Sequence, residues 1–232
     1  MKLAIMQPYF LPYLSYYKLL KLVDKFVIYD DVNFINRGWI NRNNILVGGK
    51  AHLFTVPLID ASQNKLIYEV QVSPDQVWRK KILKTISQAY RKAPQFETVF
   101  PLVEDIITDQ SESVADFCLQ SLVKTARFMN IDTEIVKTSR QYNNSDLKGQ
   151  HRILSICQKE GASHYINPIR GQALYDKHLF CNEGITLNFI HTTPRAYPQF
   201  KNDFVPLLSI LDIMMFNNQK EIQDLLGEYD LI

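Results

Sequence analysis

Two short apolar segments near the start of the chain have the spacing of parallel strands joined by a crossover helix. Lys2–Met6 runs into Gln7-Pro8-Tyr9, and Phe26–Tyr29 runs into Asp30-Asp31. Between them, apolar residues recur at helical spacing. Parallel strands connected in this way end at the same edge of a sheet, and open α/β sheets bind ligands at that carboxyl edge. The opening segment therefore predicts an α/β fold and the edge that holds its site.

The middle of the chain interrupts this pattern. Gly48-Gly49 separates Ile45–Val47 from Leu53–Val56, which predicts a β-hairpin, and Ile67–Val72 is predicted to be a strand. Residues from about 73 to 130 are predicted to be mainly helical, with Ser73 as an N-cap and a second helix starting near Ser113.

Alternation returns in the last third of the chain. We predict three strands (Thr133–Lys137, His164–Ile166, Thr186–Ile190) and four helices (Asp146–Glu160, Ala173–Cys181, Pro206–Met215, Gln219–Leu226). These elements predict a three-layer α/β fold with a mostly parallel, Rossmann-like sheet, an inserted β-hairpin and a helical middle segment. We assign all 232 residues to one domain.

Composition argues against several classes of protein. With 26 basic and 24 acidic residues, the net charge is +2, which does not indicate a nucleic-acid binder. No segment approaches the ~18 uncharged residues of a membrane span, and no signal peptide is recognisable. Cys118, Cys157 and Cys181 form no CxxC pair, which is typical of reduced thiols and supplies no zinc site. We expect a cytoplasmic protein without membrane insertion.

A third strand end repeats the polar character of the first two. His164–Ile166 runs into the loop Asn167-Pro168-Ile169-Arg170-Gly171. If the strands are parallel, the three loops converge on one crevice, where free N–H groups favour a phosphate or carboxylate. The alternative is that Pro, Asp and Asn only form turns. The candidate ligands on these loops are Gln7, Tyr9, Asn167, Arg170 and Gly171.

Asp30-Asp31 is the sharpest acidic feature. Adjacent side chains on an extended chain point to opposite faces, so the two carboxylates are not expected to bind one metal ion. One of them is a candidate general base, sugar-hydroxyl acceptor or Mg²⁺ ligand in the cleft. The other is expected to cap a turn or pair with an arginine, and both can equally be plain turn residues.

The stretch from Arg37 to Asn44 has the densest set of polar and basic side chains. Guanidinium groups bind phosphate bidentately, amides hydrogen-bond sugar hydroxyls, and an indole stacks on a ring. The alternative is a solvated strand whose arginines pair with nearby acids. The candidate substrate-binding residues here are Arg37, Trp39, Asn41 and Arg42.

Further candidates lie in the last third of the chain. Lys148 and Arg152, at i and i+4 on a helix, can address one anion, although a solvated basic face is the common explanation. His151 is a candidate acid or base. Tyr175 can cover the Asn167 loop, and Tyr197 belongs to a polar segment with the character of a lid.

Two other observations limit the chemistry. Asp212 lies on an otherwise apolar helix and needs a partner if it is buried. The chain has no Gly-rich phosphate loop, no G-x-S-x-G elbow and no H-E-x-x-H. Hydrolase and P-loop functions therefore lose support.

The same stretches, taken together, resemble the WbqC-like family of bacterial proteins. The resemblance extends from end to end of the chain, and the combination is more specific than any single motif. The matching segments are Met6–Tyr13, Phe26–Val32, Arg37–Asn43, Tyr165–Pro168 with Gly171 and Leu174-Tyr175, and Leu208–Asp212.

The resemblance implies a role in bacterial surface-polysaccharide biosynthesis, especially of O-antigen, with transfer of an amino-acyl group such as glycine to a sugar suggested for the family. It identifies no cofactor. Our leading hypothesis is a transferase whose small-molecule substrate is a nucleotide-linked or otherwise activated sugar. The alternatives are a nucleotidylyltransferase or ATP-dependent ligase, and a non-catalytic binding subunit of a polysaccharide-assembly complex.

Overall fold

The computed structural model describes residues 1–201 and 203–232. Its strands are β1 (Lys2–Met6), β2 (Lys25–Ile28), β3 (Arg42–Val47), β4 (Lys50–Thr55), β5 (Leu58–Ile59), β6 (Gln71–Val72), β7 (Glu134–Val136), β8 (His164–Pro168), β9 (Thr186–His191) and β10 (Asp230–Leu231). Its α-helices are α1 (Leu14–Leu22), α2 (Val77–Tyr90), α3 (Phe96–Ile107), α4 (Val114–Phe128), α5 (Gly149–Lys159), α6 (Lys177–Asn182), α7 (Ile210–Phe216) and α8 (Gln219–Leu226).

A six-stranded sheet in the order β10-β9-β8-β1-β2-β7 forms the centre of the molecule. Five of its strands are parallel, and β10 pairs antiparallel to β9 at one edge. The prediction of an α/β fold with a mostly parallel sheet is confirmed. The Rossmann-like description and the assignment of residues 1–232 to one domain stay predictions.

The two faces of the sheet bury different helices, as the alternation of side chains along a strand requires. In β1, Ala4 points into a core shared with α1, the middle helices, α7 and α8. Its neighbours Leu3 and Ile5 point into a second core shared with α5 and α6. Helices therefore cover both faces, which gives the three layers that the sequence predicts.

The middle segment contains the predicted hairpin and three helices. The antiparallel pair β3–β4 turns at Gly48-Gly49, and α2, α3 and α4 follow. Ser113 caps α4, since its side chain accepts from the backbone N–H of Ala115. Within the described ranges, no helix has the length and apolar character needed to cross a membrane.

Three local predictions were wrong. Ile67–Val72 is a short 3₁₀ turn followed by the two-residue β6, because Ile67 and Tyr68 bond the backbone of the Asp30 loop instead of continuing a strand. Ser73 does not cap α2, which begins only at Val77, and the carboxylate of Asp75 accepts from that residue's N–H. The helix predicted at Ala173–Cys181 is divided between a 3₁₀ segment, Ile169–Leu174, and α6.

The loop after β1 is held in place by two other segments. The amide of Asn43 donates to the carbonyls of Phe10 (3.3 Å) and Leu11 (2.7 Å), and the hydroxyl of Ser209 donates to Leu11 (2.8 Å). Leu11 has a φ of 45°, a left-handed conformation that a leucine rarely adopts. Buried hydrogen bonds to its carbonyl fix this conformation and with it the start of α1.

Asn43→Ala is expected to destabilise the fold by about 1–3 kcal/mol, because buried carbonyls lose their donor. Urea unfolding measures the change, and Asn36→Ala, at an exposed position, is the control. Equal urea midpoints for the two variants would show that the hydrogen bonds of Asn43 contribute nothing to stability.

Candidate functional site

The order of the parallel strands reverses between β1 and β8, the switch point at which open α/β sheets form their binding crevice. These two strands pair only near their amino ends, at Lys2↔His164 and Leu3↔Tyr165. On its other side β1 pairs with β2 as far as Met6↔Ile28, and β8 pairs with β9 as far as Pro168↔Ile190. The carboxyl halves of β1 and β8 are therefore unpaired with each other, at the position where open α/β sheets bind ligands.

Gln7 and Tyr9 follow β1 on one side of this crevice, and Arg170 follows β8 on the other. Gln7 and Tyr9 are half-buried, and Arg170 is exposed. Burial raises the pKa of Tyr13, and the positive charge of Arg170 opposes that rise, which places this arginine near the start of α1. Arg170 has no ion-pair partner among the described residues.

The loop after β8 is fixed by its own side chains. The amide of buried Asn167 donates to the hydroxyls of Tyr165 (2.8 Å) and Tyr175 (3.4 Å). A Cβ at Gly171 would lie 2.3 Å from the amide oxygen of Asn167, so only glycine fits at this approach. The structure thus brings together three predicted ligands, Asn167, Gly171 and Tyr175. Their contacts within the loop fix its conformation, and the same loop carries Arg170.

Asp30, at the carboxyl end of β2, is buried and bound to the segment after β7. Its carboxylate accepts from the hydroxyl of Thr138 (2.8 Å) and the backbone N–H of Ser139 (3.0 Å), and lies 3.3 Å from Nε of Arg140. Burial raises its pKa, and these three neighbours oppose the rise. A raised pKa makes the carboxylate a stronger base than an ordinary aspartate.

Asp31 is bound in a different way. Its carboxylate lies 2.5 Å from the guanidinium of Arg152, which also donates to the Asp31 carbonyl (3.1 Å) and to Asn144 (3.1 Å). The expectation that the adjacent carboxylates diverge was wrong, since the Ser139 hydroxyl contacts both Asp30 and Asp31. The 3₁₀ turn after β7 inserts between them.

The structure separates the three candidates on α5. Arg152 is buried in its ion pair with Asp31, whereas Lys148 and His151 are exposed. The i, i+4 spacing therefore does not present Lys148 and Arg152 to solvent as a pair.

The Arg37–Asn44 stretch folds back on itself. The guanidinium of Arg42 donates to the carbonyls of Gly38 (2.9 Å) and Arg37, and the amide of Asn41 donates to Val56 (2.8 Å). Arg37 and Trp39 remain exposed, with Arg42 near the Trp39 ring. Arg37 and Trp39 are thus the members of this stretch that are accessible to a ligand.

Asp212 is fully buried, and its donors among the described residues are all neutral. They are the hydroxyls of Tyr90 (2.8 Å) and Tyr197 (2.6 Å) and the amide of Gln199 (2.6 Å). Burial raises the pKa of Asp212. Asp212 thus has the hydrogen-bond partners that its burial requires. One of them is Tyr197, a predicted ligand, whose hydroxyl is bound to this core aspartate instead.

The sequence reasoning missed Thr138, Ser139 and Arg140. They follow the strand predicted at Thr133–Lys137. The rule that polar residues directly after a parallel strand lie at the ligand-binding edge, which pointed to Asp30 and Asn167, also applies to them. Lys18, on α1, is buried, and its ammonium donates to the backbone carbonyl of Glu228 in the segment after α8. Among the described residues, no group of three His, Cys, Asp or Glu side chains could hold a metal ion.

Comparison with known proteins identifies one family and one curated relative. The model of the WbqC-like protein family matches residues 7–224. The "Uncharacterized protein Rv1507c" of Mycobacterium tuberculosis (strain ATCC 25618 / H37Rv) is 27% identical over 228 residues, which cover 97% of each chain. No solved structure gives a significant match.

Gly171→Ala is expected to destabilise the protein by about 1–3 kcal/mol, because the new methyl group meets the Asn167 amide and overpacks the loop. Chemical unfolding measures the loss. Gly227→Ala is the matched control, since the nearest atom to a Cβ there is 3.6 Å away, an ordinary contact. Equal stability of the two variants would contradict the close approach.

Asp212 is expected to make stability depend on pH. Its pKa is higher in the folded than in the unfolded chain, so the folded state binds more protons and stability rises as pH falls through the raised pKa. The difference in unfolding free energy, wild type minus Asp212→Asn, should therefore grow as the pH falls from neutral toward 3.8, the ordinary pKa of an aspartate. Urea titrations at several pH values measure it, and a pH-independent difference would contradict the assignment.

Proposed function

The chain belongs to the WbqC-like protein family, and from this premise we propose that it is a transferase of bacterial surface-polysaccharide (O-antigen) biosynthesis. Its substrate is a nucleotide-linked or otherwise activated sugar. The observation that supports this most directly is the separation of β1 from β8, which opens the carboxyl edge beside an exposed cation, Arg170. An activated sugar has an anionic phosphate for that cation and hydroxyl groups for neighbouring amides.

Two parts of the edge have different roles in this proposal. Arg170 binds phosphate, and Gln7, at the end of β1, hydrogen-bonds sugar hydroxyls. Arg37 and Trp39, which remain exposed on the hairpin side, contact the part of the substrate that extends out of the crevice. Guanidinium groups suit phosphate because their donors match its oxygens in pairs.

Asp30 is the proposed proton acceptor. Asp31 is bound by the buried guanidinium of Arg152, and His151 is exposed on α5. The cation beside Asp30, Arg140, is instead 48% exposed. Burial raises the pKa of Asp30, which makes it a stronger base than an ordinary aspartate. In the reaction, the acceptor hydroxyl gives its proton to Asp30 and its oxygen bonds to the activated carbon. The bond to the leaving group breaks, and that group departs with the electron pair.

Amino-acyl transfer is the specific form of this reaction that the family suggests. The activated carbon is then the acyl carbonyl, and a sugar hydroxyl or amine is the acceptor. This form of the reaction needs an activated acyl donor, so the ligand screen includes such donors beside nucleotide-sugars.

A thermal-shift screen against nucleotide-sugars, ATP and activated acyl donors tests the proposal. A ligand at 100 times its dissociation constant stabilises the fold by about 2.7 kcal/mol. Arg170→Ala is expected to weaken the shift, whereas Arg127→Ala, at an exposed arginine on α4, should leave it unchanged. The absence of any saturable shift with a nucleotide-sugar or an acyl donor, or equal shifts in both variants, would count against the proposal.

Turnover is tested separately. Once a ligand pair is found, Asp30→Asn should abolish product formation while substrate binding persists, because the amide cannot accept the proton. Asp224→Asn, the same change at an exposed position on α8, is the control. Full turnover by Asp30→Asn would instead favour a different base.

A further inference from the structure

A small cavity of about 40 Å³ lies between the start of α1 and the segments that follow β9. Its polar lining comes from Tyr13, Ser15, Lys18, Thr193, Arg195 and Tyr197, and its apolar lining includes Leu14, Phe204 and Ile213. A single water needs about 10–15 Å³ of this kind of volume, so the space suits a group of a few heavy atoms. It is too small for a nucleoside.

Lys18 brings a buried positive charge to this cavity. Its side chain is 2% exposed, and its ammonium donates to the carbonyl of Glu228 at 2.5 Å. Among the described residues, no carboxylate lies within ion-pair distance of it. An ammonium has three N–H donors, and buried charges are normally paired. Burial lowers the pKa of Lys18, and the nearby Glu228 carboxylate, which pairs with Arg195, opposes that change. Two of the three N–H donors of Lys18 have no partner among the described residues.

Two further features of the cavity favour an anion. The N-cap of α1, Tyr13, makes no side-chain capping bond, and the first turn contains no acidic residue. Tyr13, Leu14 and Ser15, at the start of that helix, line the cavity, so the positive end of the helix dipole lies beside it. Arg195 adds a second cation at the rim, where it contacts Glu228 and is 57% exposed.

We infer that this cavity is a binding site for a small anionic group, a carboxylate or a phosphate, that pairs with Lys18 and Arg195. The site is a binding site in its own right, and it does not depend on the proposed transfer reaction.

A purely structural role for Lys18 makes different predictions. Glu228 lies just beyond the end of α8. In the structural explanation, the sole role of Lys18 is to donate a hydrogen bond to this carbonyl and so stabilise the end of the helix. In that case Lys18→Met would destabilise the protein in every buffer, and anions would bind the variant and the wild type alike.

The test is calorimetric titration and thermal unfolding of the full chain with sodium phosphate and sodium acetate, against sodium chloride at equal ionic strength. Saturable binding of at least one of these anions is expected. Lys18→Met should weaken it by about tenfold or more, the usual effect of losing a hydrogen bond to a charged group. Lys21→Met, at an exposed lysine on the same helix, should bind as the wild type does.

The two anions distinguish the two sources of the group. Phosphate binding alone indicates a phosphoryl ligand, acetate binding alone indicates a carboxylic acid, and either result supports the site. If neither anion binds beyond the chloride control, or if both lysine variants bind equally, the inference is overturned. Should Lys18→Met not fold, Arg195→Gln decides: a loss of about threefold, as for an exposed ion pair, supports the site, and unchanged affinity overturns it.

Discussion

Strand β1 hydrogen-bonds to β2 as far as its carboxyl end but to β8 only at its amino end, and the rest of the carboxyl edge is organised around this asymmetry. The chain leaves β1 toward β2 and later returns on the other side of β1 as β8. The connections that follow β1 and β8 therefore run in opposite directions from the boundary between these two strands. The loops after the two strands are then free to separate. Helices on both faces of the sheet hold the strands together elsewhere, so the gap remains local.

Most of the polar groups at this edge stabilise the protein, and few are left for a ligand. Arg152 is bound to Asp31, Arg140 lies against Asp30, and Arg42 is bound to its own turn. In each case a carboxylate or carbonyl of the chain satisfies the guanidinium. Arg170 and Lys18 differ, since no carboxylate among the described residues lies within ion-pair distance of either one. The proposed substrate and anion sites follow from this distinction.

The sequence predicted the fold where periodicity and strand-end chemistry agree. Elements that depend on local patterns lie close to their predicted bounds in the structure. They are the parallel strands β1 and β2, the hairpin at Gly48-Gly49 and the helix that follows Ser113. The prediction at Ser73 failed because a capping pattern does not require a helix to begin there. The prediction at Ile67–Val72 failed because the Asp30 loop takes the hydrogen bonds of that segment.

The sequence by itself determined that polar residues cluster at strand ends, since this depends only on which side chains follow each apolar run. The tertiary structure decided which of them pair with one another. The Ser139 hydroxyl comes from a residue more than a hundred positions away to join the two aspartates, and the segment after α8 covers Lys18. Burial and charge pairing between distant segments have no local pattern, so the partners of Asp31, Asp212 and Lys18 appear only when the chain is folded.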